Sequence, residues 1–315
     1  MVLSPQNVGR LSAVITVFIW TSFIIVARAS SAHVLLPLDI ACARILGASA
    51  VLLPWAWWMM RAQRQNGESV GSLCGLSPLP LRPTVQAGLL GGLLYALLVY
   101  SAFFFAPAAH ASVLMPGSLP LWTTLLMWLF LREKISVHRA IGLGLILLGD
   151  VLVGGASLLK AFEGGDVWIG DVLFVCASIC WSAYSVTVRR FGLDAARATM
   201  AITAFALVTF VPMFTLLVQL NVLPSHFSQA SWAEILFQAS FQGIGSVVIS
   251  GITFTQMIRF YGPVKSTMIT AVVPGLSALG AVIILGEPMS WNLLLGLVLV
   301  TCGILFGVRQ AMVKT

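Results

Sequence analysis

Apolar runs of about 20 residues recur along nearly the whole chain, and each is long enough to cross about 30 Å of hydrocarbon as a helix. They fall at about 8–28, 36–60, 84–106, 109–131, 138–156, 168–190, 198–221, 234–258, 264–286 and 290–309. Inside a bilayer no water satisfies the backbone N–H and C=O groups, so each segment must satisfy its own by forming a helix. The sequence therefore predicts an all-α membrane protein with ten transmembrane helices. Only 9% of the 315 residues are charged and the mean hydropathy is +1.00. The longest polar interruption, near 61–83, is too short to fold as a soluble domain.

The formal net charge of +7 does not point to nucleic acid, because the basic residues stand singly between apolar spans and do not interleave with exposed aromatics. They follow topology instead. With the N-terminus in the cytoplasm, fourteen of the 17 basic residues fall in cytoplasmic segments, leaving out Arg28, Lys160 and the intramembrane Arg44. The positive-inside rule then places both termini in the cytoplasm. Trp55, Trp57 and Trp58 precede Arg61, and Trp168, Trp232 and Trp291 stand at the other span ends, as an interfacial aromatic belt requires. "VARAS" at the end of the first span resembles a signal-peptide cleavage site. The repeat partner of that span argues that it is retained. Five cysteines are an odd number and four lie within spans, so no disulfide framework is expected. Cys176 and Cys180 are one turn apart but lack the further ligands a metal needs, so no metal is expected.

The two halves of the chain look alike. "VGRLSAVITVFIWTSFIIVAR" runs parallel to "IGDVLFVCASICWSAYSVTVR", with Gly9/Gly170, Trp20/Trp181 and Arg28/Arg189 all 161 positions apart. A second block pairs Pro120/Pro274, Glu133/Glu287, Ser136/Ser290, Gly142/Gly296 and Gly149/Gly303, all 154 apart. Together these matches indicate a duplication. Each unit holds five spans, an odd number, so the second enters the membrane from the opposite side. The expected units are 1–156, with helices 1–5, and 157–315, with helices 6–10. Inverted repeats of this kind are characteristic of secondary transporters, whose halves exchange conformations around a site near the bilayer midplane.

Several segments resemble the ten-helix, EamA-type members of the drug/metabolite transporter superfamily. They are "FIWTSFIIVAR", "PLDIACARILGASAVLLP" and "WSAYSVTVRR", with "YGPVKSTMITAVVPGLSALGAVIILGEPMSWNLLLGLVLVTCG" the most specific. Within that family the chain looks most like YddG-type exporters of aromatic amino acids. One departure is "LREKIS" in the first half, where the family pattern and the second half have "LGEPMS". The resemblance implies a bacterial inner-membrane transporter with a cavity between its two five-helix halves.

Charged groups deep in hydrocarbon are costly and prompt a functional reading. Arg44 suits a substrate carboxylate, although pairing with Asp39 or Asp150 is the favoured expectation. Asp150 is a candidate for a coupling proton or for a structural role. Relatives that exchange protons for cationic drugs use a carboxylate in their first helix, and none lies between Gly9 and Ala27 here. In helix 8, Gln242, Ser246, Ser250 and Thr253 form a polar stripe suited to a wet cavity or to packing between helices. Trp20, Tyr95, Tyr100, His110, Trp122, Trp181 and Tyr184 complete the candidate cavity, where aromatic rings can stack on a solute and attract its ammonium group. Pro116 and Pro120 interrupt helix 4, and Pro274 interrupts helix 9. They are candidate hinges, because proline removes a backbone donor and crowds the preceding turn.

These residues predict a secondary transporter exporting aromatic or neutral amino acids and related metabolites by alternating access. The expected partners are a small amino-acid-like solute and the lipid bilayer, without nucleic acid. No cofactor is expected, and no "GxxxxGK[ST]" phosphate loop is present. Export of cationic drugs or nucleotide sugars is the alternative cargo. An intramembrane aspartyl protease, prompted by "GD" at 149–150 and 170–171, is a remote alternative, since Leu147 stands where its motif has glycine.

Overall fold

A computed structural model describes residues 5–65, 71–161, 165–270 and 272–312. Among the described residues ten long helices follow one another, with one short 3-10 turn at Leu73–Gly75: α1 (Pro5–Ser30), α2 (Pro37–Gln65), α3 (Leu81–Phe105), α4 (Ala108–Leu131) and α5 (Val137–Ala161), then α6 (Val167–Phe191), α7 (Ala195–Gln219), α8 (Trp232–Tyr261), α9 (Pro263–Leu285) and α10 (Trp291–Met312). Among the described residues, α1–α9 are each long and apolar enough to span a membrane, and Trp291–Phe306 of α10 forms a shorter apolar helix. No strand occurs among the described residues, apart from one isolated bridge between Ser72 and Ser77.

Polar residues set the helix ends. Asp194 accepts from the N–H groups of Ala196 and Arg197 at the start of α7, and Ser231 accepts from Glu234 at the start of α8. Gly192 takes the left-handed conformation that closes α6. The corner after α4 shows what the departure of "LREKIS" from "LGEPMS" costs. Arg132 (φ 55°) and Gly286 (φ 68°) occupy the same left-handed position, and the following residues make the same turn: Glu133 N–H to Met127 C=O and Glu287 N–H to Ala281 C=O. Glycine takes this conformation freely, whereas arginine is held there at a cost of about 1 kcal/mol.

Helix pairing follows a two-fold pattern. α1 packs on α8 and α9, and α6 packs on α3 and α4; α2 packs on α7 and α8, and α7 on α2 and α3. α4 meets α9, and α5 lies along α10. Small residues make the α5–α10 crossing tight. A Cβ added at Gly149 would lie 2.7 Å from the carbonyl oxygen of Gly296, and one at Gly303 would lie 2.5 Å from that of Gly142. Close approach at small residues is how helices pack where lipid removes the hydrophobic drive to associate. Outward faces are apolar, with Phe18, Leu159 and Ile283 each at least 70% exposed, as lipid contact requires. Trp55, Trp57, Trp58, Trp232 and Trp291 are exposed at helix ends.

Candidate functional site

Helices α1, α2, α3, α4, α6, α8 and α9 converge on a central pocket. Trp20, Tyr95 and Trp181 form its aromatic wall, Arg44, Ser246 and Ser250 its polar wall, and Met115, Pro116 and Val273 come from the interrupted helices α4 and α9. The rings are packed on one another. Trp20 and Trp181 have centroids 5.8 Å apart, Tyr95 and Trp181 4.7 Å, and Trp20 and Phe254 4.7 Å. The cavity volume is about 20 Å³, room for one water rather than the few hundred Å³ of an ordinary ligand pocket. A solute larger than a water therefore fits only after the lining side chains move apart.

Arg44 is the one charged residue on this wall. Its residue is 5% exposed, and Nη1 donates to the Tyr100 hydroxyl at 3.1 Å. Tyr100 in turn donates to Gln242 Oε1 at 3.0 Å. The guanidinium lies 5.9 Å from the Phe23 ring centroid and 5.8 Å from that of Tyr100. The expected pairing with Asp39 or Asp150 does not form. Asp39 is occupied by the Ser225 hydroxyl and by the N–H groups of Leu36 and His226. Asp150 is on the far side of α4, in a different cavity. Among the described residues this buried cation is held only by a phenol and two rings, and it is under-compensated, since buried charges are normally paired.

The polar stripe of α8 faces this centre. Trp20 Nε1 donates to Ser250 at 3.3 Å, and Thr253 meets Thr16 at 2.8 Å. Residues four apart drift by about 40° per step on a regular α-helix. Ala239–Ile249 instead form a wider i→i+5 helix, which reduces that drift and keeps Gln242, Ser246 and Ser250 aligned.

The sequence pattern of the EamA-like transporter family matches residues 7–155 and 168–309. The chain belongs to this family. Similar sequences include the uncharacterized transporter YyaM of Bacillus subtilis (strain 168), 26% identical over 215 residues, covering 65% of this chain and 68% of that protein. An uncharacterized transporter of Archaeoglobus fulgidus is 25% identical over 275 residues, 80% of this chain and 88% of its own length. A protein crystal structure shares the fold with a TM-score of 0.61 and 22% identity, covering 98% of this chain and 99% of that one. This EamA-like chain is thus a multi-pass membrane transporter.

Two of the three proline positions break helices in this EamA-like chain. Pro116 sits within the wide turn Val113–Gly117. Pro120 instead occupies the first turn of the helix that resumes at Leu119, where no N–H is needed. In α9 the helix from Pro263 stops at Ile269 and resumes at Val272; Pro274 cannot donate to the carbonyl of Thr270, four residues earlier. The two breaks abut. A Cβ at Gly117 would lie 3.6 Å from Pro274, and Ser277 donates to Ser112 at 2.8 Å. The Met115 carbonyl accepts from Ser178 at 3.0 Å, so the broken backbone is satisfied by a neighbouring helix.

Four candidates from the sequence lie elsewhere. Tyr184 backs Trp181, its hydroxyl 2.9 Å from Thr255. His110 stands 2.9 Å from Asp171 through Nδ1. Trp122 and Asp150 line a second cavity of about 380 Å³ between α4, α5 and α6, with Asp171 on the same wall. Its rim includes the exposed Leu147, Val151 and Val172. Phe23 was not among the residues singled out from the sequence, although it follows Trp20 by three positions and so shares its helix face. Met115, Leu119 and Val273 carried no sequence signal beyond their apolarity, because only the convergence of α4 and α9 turns them inward.

Proposed function

We propose that this protein is a secondary exporter of aromatic or neutral amino acids and related metabolites, working by alternating access in a bacterial inner membrane. In this reading 1–156 and 157–315 are inverted repeats, with both termini cytoplasmic. The two-fold helix pairing and the excess of basic residues in one set of connections support it. The observation that carries the substrate class is Arg44, a buried cation without a carboxylate partner on the wall of an aromatic pocket. A solute carboxylate supplies the missing counter-charge, and Trp20, Tyr95 and Trp181 offer ring faces to its side chain and ammonium group.

The other cargoes fit less well. No carboxylate lines the pocket to meet a cationic drug, and a single arginine gives little grip on a nucleotide diphosphate. Asp150 and Asp171 do share a cavity, as a peptidase dyad would, but Asp171 is engaged by His110 through both carboxylate oxygens, at 2.9 and 3.2 Å. The deciding experiment measures flux of labelled aromatic and neutral amino acids into proteoliposomes. Saturable uptake whose KM rises about 10- to 100-fold in Arg44→Gln supports the proposal, and absence of flux for every amino acid with folded protein overturns it. Peptide cleavage lost in Asp150→Asn and Asp171→Asn would establish the peptidase instead.

A further inference from the structure

The ends of the helices remote from the amino terminus are tied together by one carboxylate. Glu287, in the corner between α9 and α10, pairs with Arg28 Nε at 3.0 Å. It also accepts from the first-turn amides of α4, Ala108 N–H at 3.1 Å and Ala109 N–H at 3.2 Å. Arg28 reaches further, donating through Nη1 to the Phe103 carbonyl at the end of α3 at 2.8 Å. One ion pair thus joins α1, α3 and α4 of the first half to the α9–α10 corner of the second. A carboxylate at a helix N-terminus meets both free N–H groups and the positive end of the helix dipole, so this is a strong clasp.

Both partners have a counterpart. Arg28 corresponds to Arg189 at the spacing of 161, and Glu287 to Glu133 at the spacing of 154. Exchanging the two halves turns the pair Arg28–Glu287 into Arg189–Glu133, at the opposite ends of the helices. The backbone supports the equivalence, because Glu133 and Glu287 follow the same left-handed residue and close the same turn. Arg189 and Glu133 also stand at similar heights: α4 and α6 run side by side through Ser118–Ser178 at 2.8 Å and Thr123–Ser182 at 3.1 Å. The target of the clasp is repeated too, since α4 and α9 both begin just after or at a proline, Pro107 and Pro263.

The second clasp is not formed. The side chains of Glu133 and Arg189 are exposed, and neither has a hydrogen bond or ion pair among the described residues. Among the described residues, no carboxylate caps the first-turn amides of Val264 and Lys265 as Glu287 caps those of Ala108 and Ala109. One end of the molecule is latched while its counterpart is not.

We infer that Glu133, Arg189 and the first turn of α9 form the reciprocal latch, which closes the amino-terminal end of the pathway when the Arg28–Glu287 latch opens. The inference rests on the alternating-access reading above. The two latches exclude one another because each draws the start of one broken helix, α4 or α9, towards the end of the other. Joining both ends at once would require both helix breaks to bend inwards together. Glu133 and Arg189 are therefore positioning residues for transport, far from the solute.

The test reads accessibility, which needs no knowledge of the substrate. Ser246→Cys in a background without other cysteines is labelled with a membrane-impermeant maleimide from either side, in vesicles of both orientations. Glu287→Gln is expected to raise labelling from the side remote from the amino terminus at least several-fold. Glu133→Gln and Arg189→Gln are expected to lower labelling from that side and to raise it from the amino-terminal side. The conservative Glu133→Asp, which keeps the carboxylate that would cap the first turn of α9, is expected to hold the ratio near the original, whereas Glu133→Gln is not. If Glu287→Gln shifts the ratio while Glu133→Gln and Arg189→Gln leave it unchanged, the reciprocal latch is overturned and alternating access stands. If no variant shifts it, both fall. Size-exclusion profiles and melting curves of each variant distinguish a lost latch from a lost fold.

Discussion

The Arg44 guanidinium donates to the Tyr100 hydroxyl at 3.1 Å, and that hydroxyl donates onward to Gln242 Oε1 at 3.0 Å. This chain fixes a cation at the pocket wall without neutralising it. Tyr100 spends its proton on Gln242, so its oxygen presents lone pairs to Arg44. In the proposed exporter the remaining guanidinium donors receive the solute carboxylate. Charged hydrogen bonds contribute about 1.5–3 kcal/mol each. Arg44→Gln should therefore raise the KM for carboxylate-bearing substrates about 10- to 100-fold. Tyr100→Phe should have a smaller effect, because it removes the support and not the charge. Proteoliposome uptake kinetics measure both.

Trp20 and Trp181 meet edge to face at 5.8 Å and close a cavity of about 20 Å³. In the proposed exporter their separation is the step that admits solute. Aromatic pairs of this kind are worth about 0.5–1.5 kcal/mol beyond burial. Trp181→Phe should retain transport of aromatic substrates, whereas Trp181→Ala should lower kcat/KM at least several-fold and weaken discrimination between aromatic and aliphatic solutes. Competition assays across amino acids provide the readout.

Pro116 and Pro274 interrupt α4 and α9 where the two helices touch, while Pro120 lies in a first turn that tolerates proline. Pro116→Ala and Pro274→Ala should leave insertion intact and slow flux, because regular helix replaces the break. Pro120→Ala should change flux least. Flux normalised to folded protein distinguishes the three, and equal rates would remove the hinge.

Arg132 carries φ 55° where Gly286 carries φ 68°. Arg132→Gly should stabilise the protein by about 0.5–1 kcal/mol, and Gly286→Ala should destabilise it by about 1 kcal/mol, since no steric contact surrounds Gly286 within 4 Å and only the backbone conformation is penalised. Melting temperatures in one detergent show the opposite signs.

A Cβ at Gly149 would meet the Gly296 carbonyl and Val300 Cγ2, both at 2.7 Å, whereas one at Gly144 meets nothing within 4 Å. Gly149→Val should separate α5 from α10 and cost about 1–3 kcal/mol or more, with loss of folded material on size exclusion. Gly144→Ala on the same helix should be neutral.

Much of the fold was legible in the chain. The apolar run predicted at 109–131 became Ala108–Leu131, and the one predicted at 168–190 became Val167–Phe191. Span length is a strong signal because bilayer thickness and backbone hydrogen bonding leave a single solution. Of the candidate site residues, Trp20, Tyr95, Trp181, Ser246 and Ser250 meet at one pocket with Arg44 and Pro116. Trp122, His110 and Asp150 do not, because a residue's depth along a helix leaves open which way it faces.

The sequence by itself determined the ten helices, their membrane setting and the matched positions of the two halves. These depend on local chemistry: the apolarity of each run, the turn residues at its ends and the spacing of repeated residues. Only the tertiary structure decided that Arg44 has no carboxylate partner, that Pro116 and Pro274 abut, and that Glu287 is clasped to Arg28 while Glu133 stands free of Arg189. Those facts depend on how helices rotate and tilt against one another. In a bilayer that is set by small-residue packing and polar contacts between distant segments, which no single run of sequence contains.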